Sequence, residues 1–181
     1  ELKEFPNPVW STYGMTETLS HIALRRLNGA EAGEWHKPFD SGKVACNEEG
    51  CLVIDAPLVH EGKLVTNDIV EINAAGHFKI KGRKDNVISS GGIKIQIEEV
   101  EAVLKPLLDR PFMITKRADR KFGEAVVLLT EQERLSEVKS ICRQTLPKYW
   151  QPRHYLHVNQ IPLTETGKPN RARALSLAEE I

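Results

Sequence analysis

The rhythm of hydrophobic and polar positions changes near the middle of this chain. Over residues 43–81 short β-type runs recur, KVAC, CLVIDA, GKLVTNDIVEI and HFKIKG, and turn residues at 47–50, 61–62 and 73–76 separate them. That spacing predicts a small antiparallel sheet or barrel. Ahead of it, residues 8–13 (PVWSTY) form one more β-type run, residues 20–27 fit no single period, and 29–41 read as loop. Past residue 82 strands and helices alternate. Two β-type runs, 87–90 and 93–97, meet at Gly91 and Gly92 and predict a hairpin. A helix is expected over 97–108, with Glu98, Glu99 and Glu101 near its start, where the helix dipole favours negative charge. Runs at 112–116 and 125–130 read as strands. Leu135, Val138, Ile141 and Cys142 recur at helical spacing and predict a helix over 134–146 that Pro147 ends. A strand at 154–158 and a short helix carrying Ala172, Leu175 and Leu177 complete the pattern. The expected class is α+β in two parts, 1–82 and 83–181, with Arg83, Lys84 and Asp85 at the joint.

Composition narrows the functional classes. Lys plus Arg and Asp plus Glu are both 25 among 181 residues, so the net charge is zero. That balance gives no reason to expect broad nucleic-acid binding or a membrane surface, and no nucleic-acid partner is expected. No apolar run approaches the roughly 20 residues of a membrane span. Cys46 and Cys51 flank a turn and could face each other across a hairpin; with Cys142 the count is odd. An odd count and no secretory signal point to a cytoplasmic setting. The six histidines show no metal-ligand spacing. The chain starts at Glu1 and its first residues read as mid-protein sequence, so a fragment is expected.

Single motifs are weak. YGMTET at 13–18 is a strand-ending turn that could also be a nucleotide corner: an aromatic face at Tyr13, a hydroxyl at Thr16, and at Glu17 an oxygen ligand for Mg²⁺. In VTNDIVEI, Asp68 lies between apolar residues and must be paired, by capping a turn or by gripping two neighbouring ribose hydroxyls. In PLTETGKPNR, Lys168 is a solvated loop lysine or a mobile cation for a phosphoryl group. SSGG at 89–92 sits in a hairpin, the wrong context for a strand-to-helix phosphate loop.

Together, YGMTET, TND, GRKDN with SSGG and EEVE, and PLTETGKPNR resemble, in order and separation, the carboxy-terminal motifs of the adenylate-forming superfamily: acyl-CoA synthetases, luciferases and peptide-synthetase adenylation domains. Within it, GRKDN, SSGG, Gln96, EEVE and TETLSHI look most like o-succinylbenzoate–CoA ligases of menaquinone synthesis. The resemblance implies a large AMP-binding domain ending near residue 82, its small β-barrel included, followed by a mobile carboxy-terminal domain. It implies ATP, Mg²⁺ and CoA as reactants or cofactors, with a carboxylic acid as substrate. Tyr13 would lie against adenine beside Gly14, Thr16 would meet phosphates, and Glu17 would hold Mg²⁺. Asp68 and Arg83 would hold the ribose. Lys168 would bridge the attacking carboxylate and the α-phosphate. Asp85 would be the hinge, Gly91 and Gly92 would line the CoA path, and Ser20 and His21 would lie near the acyl pocket.

Asn67 stands where the family usually has Gly, and Asn86 where an acidic residue is common. The family's upstream Ser/Thr/Gly-rich phosphate loop has no match here, so the amino-terminal domain is expected to be missing and the chain alone to be inactive. The alternatives are a fatty- or aryl-acid–CoA ligase and a stand-alone binding module. Intact positions for Glu17 and Lys168 weigh against the module.

Overall fold

The computed structural model describes residues 5–181; the mid-protein reading of residues 1–4 lies outside them. The chain divides into two compact units, one ending at Asp85 and one spanning Asn86–Ile181.

The first unit is built almost entirely of antiparallel strands. β1 (Trp10–Gly14), β2 (His21–Arg26) and β3 (Lys37–Pro38) form one sheet, in that order. β4 (Lys43–Cys46), β5 (Cys51–Asp55), β6 (Lys63–Ile72) and β7 (Phe78–Arg83) form a second, a four-stranded meander. The irregular stretch 20–27 is thus mostly strand: Ile22 and Ala23 are buried while the rest of β2 stays at least partly exposed, which blurs the alternation. Turn chemistry sets the meander. Asn47 Oδ1 accepts the Glu49 and Cys51 amides, and Asn73 Oδ1 accepts those of Ala75 and His77. Each turn ends on a glycine with φ near +80°, Gly50 or Gly76, where a side chain would be strained. Cys46 pairs in register with Leu52 and is exposed, whereas Cys51 is buried, so the two thiols do not face each other.

Leu52, Ile54, Val70 and Phe78 from the meander bury against Tyr13, Ile22 and Ala23 from the smaller sheet. An isolated bridge joins the layers: the His36 amide donates to the Phe78 carbonyl at 2.7 Å, and the Phe78 amide donates back at 3.0 Å. His36 is 5% exposed, and its Nδ1 has no partner. Burial, with a smaller contribution from the charge of Arg25, holds its pKa below the usual 6.5. Because the folded-state value is the lower one, the unfolded chain takes up the proton first on acidification. Stability is therefore expected to be flat above pH 6.5, to fall below it, and to level off under the folded-state pKa. The urea midpoint should drop between pH 7.5 and 5.5, and less so in His36→Asn. A midpoint that rises on acidification would contradict this.

In the second unit, β8 (Val87–Ser90) and β9 (Ile93–Gln96) form a hairpin. α1 (Ile97–Leu104) follows, then β10 (Phe112–Asp119), β11 (Gly123–Thr130), α2 (Leu135–Thr145), β12 (His154–His157) and α3 (Arg171–Glu179). α1 stops short of the expected residue 108. Pro106 has no amide hydrogen and its ring crowds the preceding turn, so the chain leaves the helix after Leu104. β11 pairs antiparallel with β10 and parallel with β12, the return path running through α2. Both faces of β11 are covered. Val126 and Leu128 pack in the cluster that holds α1 and α2; Val127 and Leu129 pack in the cluster that holds Ala174 and Ala178 of α3. A strand covered on two sides reads as an unbroken apolar run, as residues 125–129 do.

Candidate functional site

The residues singled out from sequence fall into two groups, one in each unit. In the first, β1 delivers Tyr13 and Gly14 to a single 3₁₀ turn, Thr16–Thr18. Thr16 and Glu17 are exposed, while Thr18 is fully buried and fixes the turn. Its hydroxyl has the carbonyls of Ser20 (2.8 Å) and Met15 (3.0 Å) as acceptors for its one proton and accepts the Met15 amide. Gly14 has a steric reason of its own: a Cβ there would lie 2.4 Å from the Ser20 carbonyl oxygen. His21 opens β2 as the register partner of Gly14, and Ser20 and His21 are both exposed.

Asp68 and Tyr13, 55 positions apart, meet directly. The Tyr13 hydroxyl donates to Asp68 Oδ2 at 2.6 Å, and the Asp68 amide donates to the Thr66 hydroxyl. Arg83 is the register partner of Asp68 across β6 and β7, with its guanidinium 3.4 Å from Asp68 Oδ1 and 3.4 Å from an Asp85 oxygen. Against β5 the register of β6 shifts between its Ile69 and Val65 pairings, so Asp68 lies in an irregular stretch of the ladder, a common way to aim one side chain out of a regular sheet. Burial first, then the bond to Asp68, hold the Tyr13 phenol above its usual range. The Tyr13 ring presents no open flat face in this arrangement. It is 8% exposed, with Phe78 and His36 at ring-centroid distances of 5.1 and 6.0 Å.

Glu17 is a single exposed carboxylate, and no three His, Cys, Asp or Glu side chains gather into a metal cluster among the described residues. One carboxylate suits Mg²⁺, which is commonly held by one or two carboxylates, substrate phosphates and water.

In the second unit, Lys168 sits in an exposed hairpin loop closed by a bridge between Leu163 and Pro169. The Thr164 amide donates to the Lys168 carbonyl at 2.7 Å, the Lys168 amide returns a bond to the Thr164 hydroxyl, and Gly167 turns the loop at φ +76°. No carboxylate lies within ion-pair distance of the Lys168 ammonium among the described residues. Gly91 and Gly92 both have positive φ, +58° and +83°, as a two-residue hairpin turn requires. Gly91 also donates its amide to the Phe122 carbonyl, and a Cβ there would press on the Phe122 ring at 3.1 Å.

Sequence reasoning missed a cavity of about 610 Å³ in this unit, with Ser90, the residue before Gly91, in its wall. Lys139, Arg143, Lys148 and Arg153 line it, and no carboxylate does. Arg153 lies 3.7 Å over the Phe122 ring. The arrangement suits a negatively charged group beside a flat or aliphatic one. Its cations come from α2 and from the chain after it, so no local motif announced them.

No helix among the described residues is long and apolar enough to cross a membrane. No family model matches the chain. The 2-succinylbenzoate–CoA ligase of Salmonella typhimurium is 31% identical over 81% of this chain and 36% of its own length. That of Bacillus velezensis is 28% identical over 94% of this chain and 41% of its own. A probable acyl-activating enzyme of Arabidopsis thaliana is 29% identical over 70% of this chain, but only 24% of its own. The chain thus spans less than half the length of each. Among solved structures, o-succinylbenzoate CoA synthetase from Bacillus subtilis, in complex with the acyl-adenylate intermediate, matches 92% of this chain and 41% of that one. Its TM-score is 0.76 at 23% identity. ATP-bound MatB from Rhodopseudomonas palustris matches 95% of this chain and 41% of that one, with TM-score 0.78 at 18% identity. These relatives and structural neighbours are 2-succinylbenzoate–CoA ligases and other acyl-activating enzymes, and in sequence and fold the chain is like the carboxy-terminal part of that adenylate-forming family.

Proposed function

We propose that this chain is the carboxy-terminal part of an ATP-dependent acid–CoA ligase of the cytoplasm, and that its acid is o-succinylbenzoate, the substrate of a step in menaquinone synthesis. The observation that carries this reading is the recurrence of 2-succinylbenzoate–CoA ligases among relatives that align over 94–97% of the chain. In this scheme residues 1–82 end the AMP-binding domain, residues 83–181 form a mobile domain that turns about Asp85, and the amino-terminal domain supplies the rest of the site.

Two steps follow. The carboxylate attacks the α-phosphate of ATP, and pyrophosphate leaves. The CoA thiol then attacks the acyl carbon of the adenylate, and AMP leaves. The first step brings like charges together, so its barrier falls most with cations placed where charge develops. Lys168 is such a cation, and among the described residues no carboxylate, Glu165 of its own loop included, lies within ion-pair distance of it. Thr16 offers a hydroxyl to the phosphates. Mg²⁺ held by Glu17 and the phosphates would offset their charge. Asp68, kept in place by Arg83, would accept the ribose hydroxyls once Tyr13 yields its bond, and Tyr13 with Gly14 would then border the adenine. Ser20 and His21 would face the acyl group. The second step needs other groups at the same centre, which a moving domain can bring in turn. Gly91 and Gly92 would border the CoA path, and the cationic cavity beside them suits the phosphates of the CoA nucleotide.

Pyrophosphate exchange by the full-length enzyme over a panel of acids tests the reading. Exchange with o-succinylbenzoate is expected to exceed that with fatty or simple aryl acids by about 10-fold or more. A preference for one of those acids would reassign the substrate. No exchange with any acid would remove the ligase reading and favour a binding module.

A further inference from the structure

We propose that Glu101 and Arg171 are positioning residues for Lys168, holding its loop where the ammonium must act; the proposal rests on the ligase reading above. Arg171 lies three residues after Lys168 and opens α3. Its guanidinium forks onto the Glu101 carboxylate at 2.6 and 2.7 Å and donates a third bond to the Ile114 carbonyl at 2.9 Å. Glu101 Oε1 also accepts the Ile114 amide at 2.9 Å. One carboxylate therefore ties α1, β10 and the start of α3 together, 70 positions apart along the chain. Both side chains are about three-quarters shielded from solvent, so the pair is not a loose surface contact.

The other foot of the loop is held in the same way. The Ile161 amide donates to Glu131 Oε1 at 2.9 Å, and the Asn170 amide closes the base onto the Pro162 carbonyl. Asn170 also caps α3 by accepting the Arg173 amide. Between these feet, residues 162–170 are cross-linked by their own turn bonds and have little other support. The exposed loop thus stands on two anchors, and the Arg171 anchor is the one adjacent to the lysine. A lysine that meets charge developing on a phosphoryl group must be placed to a fraction of an ångström. The Glu101–Arg171 fork supplies that placement without touching the substrate.

The test compares Glu101→Gln and Arg171→Lys with Lys168→Ala in the full-length enzyme. Arg171→Lys keeps the charge but loses the fork, and it guards against a Glu101 variant that fails to fold. Adenylation kcat is expected to fall about 10- to 100-fold in both anchor variants. Thioester formation from supplied acyl-adenylate should stay within about twofold of the parent, as expected when only the adenylation geometry is lost. Adding Glu101→Gln to Lys168→Ala should cost nothing further, because residues acting as one unit are not additive. Hydrogen exchange of residues 162–170 should quicken in the anchor variants while that of α2 does not. Equal loss in both half-reactions, or a double variant well below Lys168→Ala, would overturn the proposal by showing a general structural role. If Lys168→Ala lowers adenylation and the anchor variants do not, the positioning role alone is wrong. If Lys168→Ala leaves adenylation intact, the ligase role of the loop falls and this proposal with it.

Discussion

Lys168→Ala in the full-length enzyme is expected to cut acyl-adenylate formation about 10²–10³-fold, the loss typical of removing one donor placed at developing charge. CoA thioester formation from synthetic acyl-adenylate should be nearly unchanged. The asymmetry follows from where charge grows. In the first step a carboxylate closes on an α-phosphate, and a cation beside both stabilises the transition state more than the separated reactants. In the second, a thiol attacks a carbonyl and AMP departs, and a domain that has moved no longer needs this loop at that centre. Lys168 is exposed, and among the described residues no carboxylate lies within ion-pair distance of it, so its ammonium is available for the first role. Measuring pyrophosphate release from acid and ATP, and thioester formation from the adenylate, separates the steps on one variant. Equal loss in both would show that Lys168 acts in two states or holds the fold.

Phe78→Ala is expected to destabilise the first unit by about 3–5 kcal/mol, the range for truncating a fully buried aromatic side chain. Phe78 has no exposed surface. Its ring stacks on His36 with centroids 5.3 Å apart and meets Tyr13 edge-on at 5.1 Å, and its backbone carries both bonds of the bridge to His36. Truncation leaves a cavity under Tyr13, so the Tyr13–Asp68 bond should loosen as well. Urea unfolding, with Phe78→Leu as the volume-sparing comparison, measures the cost. A loss below about 1 kcal/mol would mean that the two sheets collapse readily around the gap.

Much of this protein is written locally. The strands at 51–55 and 63–72, the glycine turns that part them, and the helix that Pro147 ends all follow from neighbouring residues. So does the strand at 125–130, whose unbroken apolar run matches the burial of those residues in β11. The motifs reached further, because YGMTET, Asp68, Arg83 and Lys168 stand in an order and spacing that few unrelated chains would reproduce, and relatives with 2-succinylbenzoate–CoA ligase activity in their names match over nearly the same span. Other features needed the folded chain. Thr18 reads as an ordinary polar residue beside Thr16, yet packing makes it the buried pin of the turn. The strand character of β2 stayed hidden because its half-exposed residues break the alternation that marks a strand. Tyr13 and Asp68 touch because an irregular stretch of β6 and a bridge between two sheets bring positions 55 apart to one point. The same holds for Glu101 with Arg171, and for the cations around the cavity beside Ser90. Hydrophobic period and turn chemistry act over a few residues and can be read along the chain. Charge pairing and cavities depend on which distant residues the packed elements bring together, and only the tertiary structure decides that.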